Sequence, residues 1–408
     1  MIALLLAQTI AITGGTVYPV SGPKLANASV LIRDGRIVAV GTSVSIPPGV
    51  TRIDASGKWV TPGLIDGAGQ LGLVEIGAVS ATREGTVQGD TIAAAFNVAE
   101  GINPASTLIP VTRIEGITTA LAVPSGNLVS GQAVLIDLDG ATMEQMVVRS
   151  PVGIVADLSE SGKDDAGGSR AAIAARLRQV FRDALEYERR KTDFSRAQMR
   201  PLSASAGDLE ALLPVLHGRV SLIALANRRS DIETALRLAK EFKLKLILAG
   251  AAEGWEMAAA IAAAGVPVLV EPMDNIPGYD SLGIRYENAA LLVKAGVTVA
   301  LLETDTHKSR NLRQQAGNAV AYGMTWDQAL RAVTLSPAEI FGVADRYGSL
   351  EPGKVANLVV WSGDPFEFTT GVEHVLIRGK EIPLKSRQTE LLERYKKLPP
   401  SYAPVPPR

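Results

Sequence analysis

The chain of 408 residues contains no cysteine and only three histidines, His217, His307 and His374. The first absence excludes disulfides, thiolate metal sites and a cysteine nucleophile together. The second means that any histidine-rich metal centre has to be assembled from those three residues. Lysine plus arginine number 41 against 42 acids, a net charge of -1. There is no basic field for nucleic acid and no charge run for a polyanion, so nucleic-acid binding is excluded as a function class. Long apolar runs are also missing. "MAAAIAAAGVPVLV" at 257–270 is too short to span a bilayer and reads as a helix feeding a buried strand, so no membrane span is expected. "MIALLLAQ" at 1–8 resembles the end of a signal peptide's apolar region but lacks a positive segment before it. It reads either as the remnant of an export signal, which would make the protein periplasmic or exported, or as an ordinary first strand of a cytoplasmic one.

What is present is apolar content of 47%, enough for a large core. Residues 9–60 alternate short β-rich runs with turns, including the hairpin signal "RDGRI" around Asp34-Gly35. Similar runs return as "ANLVVWSGD" and "VEHVLIRGKEI" near the other end. In between, strand-like runs at 60–65, 117–123, 132–138, 152–157, 220–226, 245–250, 266–271 and 297–303 alternate with helical patterns, predicting parallel strands with crossover helices. Convincing helices are 168–191, 230–242, 254–264, 286–295 and 325–333. Eight such strands fit a (β/α)8 barrel with its site at the C-terminal strand ends. A doubly wound sheet fits the local pattern nearly as well.

Gly67, Gly69 and Gly72 have the spacing of a dinucleotide-binding turn. The residues after them, "LVEIGAVSATREGTVQGDTI", lack sustained helical periodicity, and Asp90 does not end a second strand. A phosphate cradle needs both, so the spacing is read as coincidental. The loop "VPSGNLVSG" at 123–131 offers backbone amides for an anion and hydroxyls at Ser125 and Ser130. No histidine stands nearby to activate either serine, and a tight structural turn is the preferred reading.

Several segments together, "GKWVTPGLIDGAGQLG", "GITTALAVPSGN", "ALANRRSDIETALRLAKEF", "SRNLRQQAGNAV" and "ALRAVTLSPAEIFGVADRYGSLEPGKVANLVVWSGDP", resemble the amidohydrolase superfamily, and within it the imidazolonepropionase-like group. The resemblance runs from about residue 9 to 382. It implies a distorted (β/α)8 TIM-like barrel over 60–343, a β-sandwich composed of 1–59 and 344–385, and a proline-rich tail over 386–408. It also implies hydrolysis of non-peptide C–N bonds in linear or cyclic amides, with one or two divalent metals, commonly zinc, polarising the carbonyl and supplying hydroxide.

Carried over residue by residue, the ligand pattern departs from the family's. The His-x-His positions fall on Ala68 and Gln70, the strand-five histidine near Leu225, and the strand-six histidine on Gly250. The nearest lysine to the fourth strand is Lys163, in a loop; the strand-eight aspartate is present as Asp305. A catalytic zinc needs three converging protein ligands, so no cofactor is predicted. Asp305 and His307 are the candidate catalytic residues. Glu303 is expected to share one side of the strand end with Asp305, as a weak oxygen-rich site. Gln70, Asn227, Arg228 and Arg310 are candidate substrate-binding groups, with Arg310 and Asn311 alternatively capping a helix from about 312. Asp66, closing the first barrel strand, either orients a neighbour or bonds backbone amides. His217 is expected at the surface and His374 as a structural residue. The reading is therefore a degenerate amidohydrolase acting as a binding or partner subunit, in a homo-oligomer or with an active related chain. A hydrolase working through Asp305 and His307 and a small-ligand binder using the barrel mouth are the alternatives.

Overall fold

The computed structural model describes residues 9–273 and 278–397. The export question at 1–8 lies outside them. The first five strands are β1 (Thr9–Val17), β2 (Leu25–Arg33), β3 (Arg36–Gly41), β4 (Thr51–Asp54) and β5 (Trp59–Pro62). They join β14 (Leu358–Trp361), β15 (Val372–Ile377) and β16 (Lys380–Ile382) in one sheet ordered β16-β15-β14-β5-β1-β2-β3, with β4 beside β1. The two ends of the chain meet where β5 pairs antiparallel with β14, Trp59 opposite Trp361. Ile10, Ile12, Val30, Ile32, Val60, Leu358 and Val360 form the core of this part.

The second sheet holds β6 (Leu64–Gly69), β7 (Ile117–Ala122), β8 (Val129–Asp137), β9 (Val147–Asp157), β10 (Ser221–Ala226), β11 (Leu246–Gly250), β12 (Val268–Val270) and β13 (Val299–Leu301), paired in sequence order. It curls into a nearly closed, TIM-like α/β barrel. Ile65, Leu121, Leu135, Ile223, Ile247, Leu269 and Ala300 fill its interior. The alternate residues Leu64, Ala120, Leu222, Leu248, Val268 and Val299 pack outward under the helices, as the period of two requires. The helices Arg170–Arg189, Arg229–Phe242, Gly254–Ala263, Asn288–Lys294 and Trp326–Ala332 fall where the periodicity places them.

Three features depart from expectation. The run at 60–65 is two strands and not one: β5 belongs to the first sheet and β6 opens the barrel, with Gly63 between. A Cβ on Gly63 would stand 2.2 Å from Thr118 Oγ1, so only glycine lets the chain pass between the sheets. Second, β8 runs antiparallel to both β7 and β9. The links 123–128 and 138–146 are too short for the dozen-residue crossover that a parallel neighbour needs. Third, the proline-rich tail begins as a helix, Arg387–Tyr395, held by a capping box between Ser386 and Thr389. Among the described residues no helix is long and apolar enough to cross a membrane.

Candidate functional site

Strands β6, β12 and β13 are neighbours around the barrel closure, and they bring three carboxylates together, one from inside β6 and two from just beyond the C-terminal ends of β12 and β13. Asp66, inside β6, is fully buried, and its Oδ1 accepts the Glu303 N–H at 3.2 Å. Glu303, two residues past β13, is 3% exposed and accepts from Gln315 Nε2 at 2.9 Å. The same amide nitrogen lies 3.4 Å from Glu271 Oε1, just past β12. Glu271 Oε2 takes the hydroxyl and the N–H of Thr304 at 2.6 and 3.2 Å. Gln315 is buried in the helix Leu312–Ala321, whose N-terminal turn faces the mouth of the barrel.

Burial pushes the Asp66 carboxyl up to about 7, against the pull of the Glu303 N–H. Burial is also the main reason that Glu303 rises to about 7; the Gln315 amide opposes it and the nearby Glu271 charge adds to it. Asp66 Oδ2 and Ser309 Oγ make no hydrogen bond of regular geometry among the described residues, although the Ser309 hydroxyl and the Ala68 N–H also pull the Asp66 carboxyl down. Both oxygens lie within 3.7 Å of the point that a Cβ on Gly69 would occupy. Two carboxyls raised toward neutrality by burial, side by side at the barrel closure, make this a candidate site by its electrostatics. Ser309 and Gln315 lie in the segment "SRNLRQQAGNAV", which resembles the family without marking either as a site residue, and Glu271 carries no motif in the sequence. Their proximity to Asp66 is a product of barrel closure, and nothing in their local spacing reports it.

The expected site residues separate into three places. Gln70 donates its backbone N–H to Thr306 Oγ1 at 3.1 Å, which ties the end of β6 to the loop carrying Asp305 and His307. Its side-chain amide donates to Ser125 Oγ at 3.0 Å and Val123 O at 3.4 Å, and Ser125 in turn contacts Thr86 Oγ1 at 3.2 Å. Asp305 accepts the His307 N–H at 3.0 Å, with His307 Nδ1 at 3.6 Å and Lys308 Nζ at 3.2 Å. Partial burial works against the ionised form of Asp305. The His307 N–H and the Lys308 ammonium outweigh it and hold the carboxyl below its usual range. His307 Nε2 lies 3.1 Å from Glu75 O. Glu303 and Asp305 do not share a side: Glu303 is buried and Asp305 exposed. Strand β13 ends at Leu301, so the alternation assumed to relate the two residues has already stopped.

Asn227 and Arg228 follow β10 on another part of the rim, where the Arg228 guanidinium lies 5.1 Å above the Tyr279 ring. Arg310 points to the C-terminal helix, donating to Gln388 Oε1 at 2.7 Å, and is not brought together with Gln70. Asn311 precedes the helix Leu312–Ala321 without a side-chain cap. Ser130 is buried, its hydroxyl donating to Asn127 O at 2.9 Å. His217 is exposed beside Glu188 at 2.9 Å, and His374 sits in β15, 2.6 Å from Glu381.

Two of the positions onto which the resemblance carries the family's ligands are otherwise engaged. Gln70 is bonded as above. Gly250 has φ +83°, and a Cβ there would fall 2.2 Å from Asn227 Oδ1. Among the described residues no three or more His, Asp or Glu side chains are grouped so as to hold a metal ion.

A model of the amidohydrolase family matches residues 219–382. The chain is 26% identical over 390 residues to imidazolonepropionase of Mesorhizobium japonicum, covering 82% of this chain and 86% of that protein. To imidazolonepropionase of Porphyromonas gingivalis it is 24% identical, covering 90% and 91%. It is also 22% identical to amidohydrolase tasK of Hapsidospora irregularis, spanning 86% of this chain but only 39% of that protein's length. Among solved structures, an amidohydrolase from Thermotoga maritima MSB8 superposes with a TM-score of 0.84 at 29% identity, over 91% of this chain and 99% of that one. The chain belongs to the amidohydrolase superfamily. Within it, the chain is imidazolonepropionase-like.

Proposed function

We propose that this protein is an amidohydrolase-type barrel whose mouth no longer builds the family's metal centre. It acts as a binding or partner subunit, in a homo-oligomer or beside an active related chain, and not as a metal-dependent hydrolase. The observation that carries this reading is the chemistry at the ligand positions. Alanine at 68, leucine at 225 and glycine at 250 offer no side-chain electron pair to a metal, and the amide of Gln70 is engaged with Val123 and Ser125. The Asn227 side chain stands where a side chain on residue 250 would begin. Asp305 alone does not make the three-ligand site of a catalytic zinc. The residues present do not fit the family's metal.

The test is metal content of protein purified without chelator, together with hydrolysis of an amide and ester panel by the unaltered chain and Asp305→Ala. Substoichiometric metal, no turnover and association with a histidine-complete relative support the proposal. Stoichiometric zinc, or hydrolysis that disappears with Asp305, sinks it.

A second reading, a hydrolase using Asp305 and His307 directly, has one observation in its favour. The His307 ring lies 3.6 Å from the Asp305 carboxylate, and both side chains are nearly half exposed on the barrel rim. An imidazole paired with a carboxylate can move a proton near neutral pH. Hydrolysis that persists without metal and falls in His307→Ala would favour it.

A further inference from the structure

A cleft of about 870 Å³ opens between the first sheet and the barrel's outer helices, built from different elements than the barrel mouth. Its walls concentrate aromatic side chains in a chain that is only 5% aromatic. Tyr18 follows β1, with its N–H bonded to Val60 O at 2.8 Å. Trp59 begins β5, and Trp326 opens the helix Trp326–Ala332, where a capping box between Thr325 and Gln328 fixes the first turn. The Tyr18 ring centroid lies 4.8 Å from Trp59 and 4.7 Å from Trp326. The two indoles are 5.5 Å apart with their planes at 79°, so two half-buried rings form a corner. Each ring is set by a strand or a capped helix and not by a loose loop, which gives the corner a defined shape.

The corner is lined with negative charge. Asp364 Oδ1 accepts both the Trp326 indole N–H and the Phe366 N–H at 2.9 Å. Asp327, beside Trp326 and exposed, has no hydrogen-bond or ion-pair partner among the described residues. After burial, these two carboxylates are the causes that push the Tyr18 hydroxyl up to about 12. Of the basic groups at the cleft, Arg331 is paired with Glu339 at 2.6 Å, and Lys24 is exposed at the margin. The opposite wall begins at Val20, a β-branched residue held at φ +70°. A β-branched side chain pays steric energy for that conformation, and such outliers persist where the surroundings over-determine them.

An ammonium group carrying methyl or methylene substituents matches these walls. Its alkyl surface packs on the indole faces, its charge is attracted by the ring quadrupoles, and it is hydrated weakly enough to leave water. We propose that this cleft binds a small organic cation, with the ammonium seated in the Trp59–Trp326 corner and facing Asp327 and Asp364.

Choline is the probe, titrated into the full chain by isothermal calorimetry at constant ionic strength, beside the neutral tert-butyl analogue of choline. Saturable choline binding is expected, with the neutral analogue at least about tenfold weaker. Asp327→Asn, which removes a charge and breaks no contact, is expected to weaken choline about threefold. Trp326→Leu is expected to abolish the signal, with circular dichroism verifying its fold. No saturable binding to the unaltered chain, equal binding of the neutral analogue, or undiminished choline binding by both variants would overturn the proposal.

Discussion

Asp66 and Asp137 are both fully buried, and the protein treats them in opposite ways. Asp137, at the end of β8, is enclosed by donors: Thr119 Oγ1 at 3.0 Å, Asn357 Nδ2 at 2.8 Å and the Tyr347 hydroxyl at 3.1 Å, with the Arg378 guanidinium at 3.9 Å. Asn357 and Arg378 come from beside the first sheet, so this network fastens the two sheets together across a polar knot. Asp66, opposite Ala120 of β7 where Asp137 is opposite Thr119, accepts the Glu303 N–H through Oδ1, while its Oδ2 makes no hydrogen bond of regular geometry among the described residues and is drawn on by the Ser309 hydroxyl and the Ala68 N–H. A satisfied buried carboxylate specifies an arrangement; a half-satisfied one stores unfavourable free energy at a place where something else is to be met. The contrast separates the polar knot that joins the two sheets from the carboxyls gathered beside the barrel closure.

The comparison can be broken most sharply at Asp137. Asp137→Ala leaves Asn357 and Arg378 facing a void, and a loss of about 3 kcal/mol is expected in denaturant unfolding. A loss below about 1 kcal/mol would show that the network does not join the sheets. The second largest effect is expected at Asp66 and depends on pH. Its carboxyl titrates near 7 folded and near 4 unfolded, so the folded state binds the proton more tightly. The stabilisation from that proton is fully present below pH 4 and is lost as pH rises through 7. Asp66→Asn removes this dependence. Thermal unfolding should show it more stable than the unaltered chain at pH 8, by on the order of 2 kcal/mol, and little changed at pH 4. Glu303 contributes with the same sign, so a residual slope between pH 4 and 7 should survive in that variant and disappear in Asp66→Asn/Glu303→Gln.

Gln70→Ala tests whether the amide at the mouth clamps the surrounding loops. A loss of about 1 kcal/mol is expected, with faster hydrogen exchange confined to the segments around Ser125 and Thr86. The smallest effect belongs to His307→Ala. The ring is exposed, and a stability change within about 0.5 kcal/mol is expected by thermal unfolding. A much larger loss would show that the loop from Asp305 to Lys308 supports the barrel closure.

Much of the architecture is legible in the residues alone. Period-two runs at both ends of the chain and strand–helix alternation between them carry their own record of which face is buried, because that periodicity is a local property. The direction of β8 escapes a reading by periodicity, although the brevity of 123–128 and 138–146 holds the information. At the site, Ala68, Gln70 and Asp305 stand out because they occupy motif positions. Glu271 occupies none, and Ser309 and Gln315 lie in a family-like segment that does not single them out, since the role of each comes from its neighbours.

The sequence by itself determined the strand–helix alternation, the β pattern at both ends and the chemical inventory, including the absence of cysteine and the scarcity of histidine, while its family resemblance pointed to a barrel over a doubly wound sheet. Only the tertiary structure decided that Glu303 turns inward while Asp305 stays in solvent, that Arg310 belongs to the C-terminal helix, and that three carboxylates meet at the closure of β13 on β6. Residue types and periodicity act along the chain, whereas proton affinity and burial depend on distances between segments hundreds of residues apart. Those distances exist only once the barrel has closed.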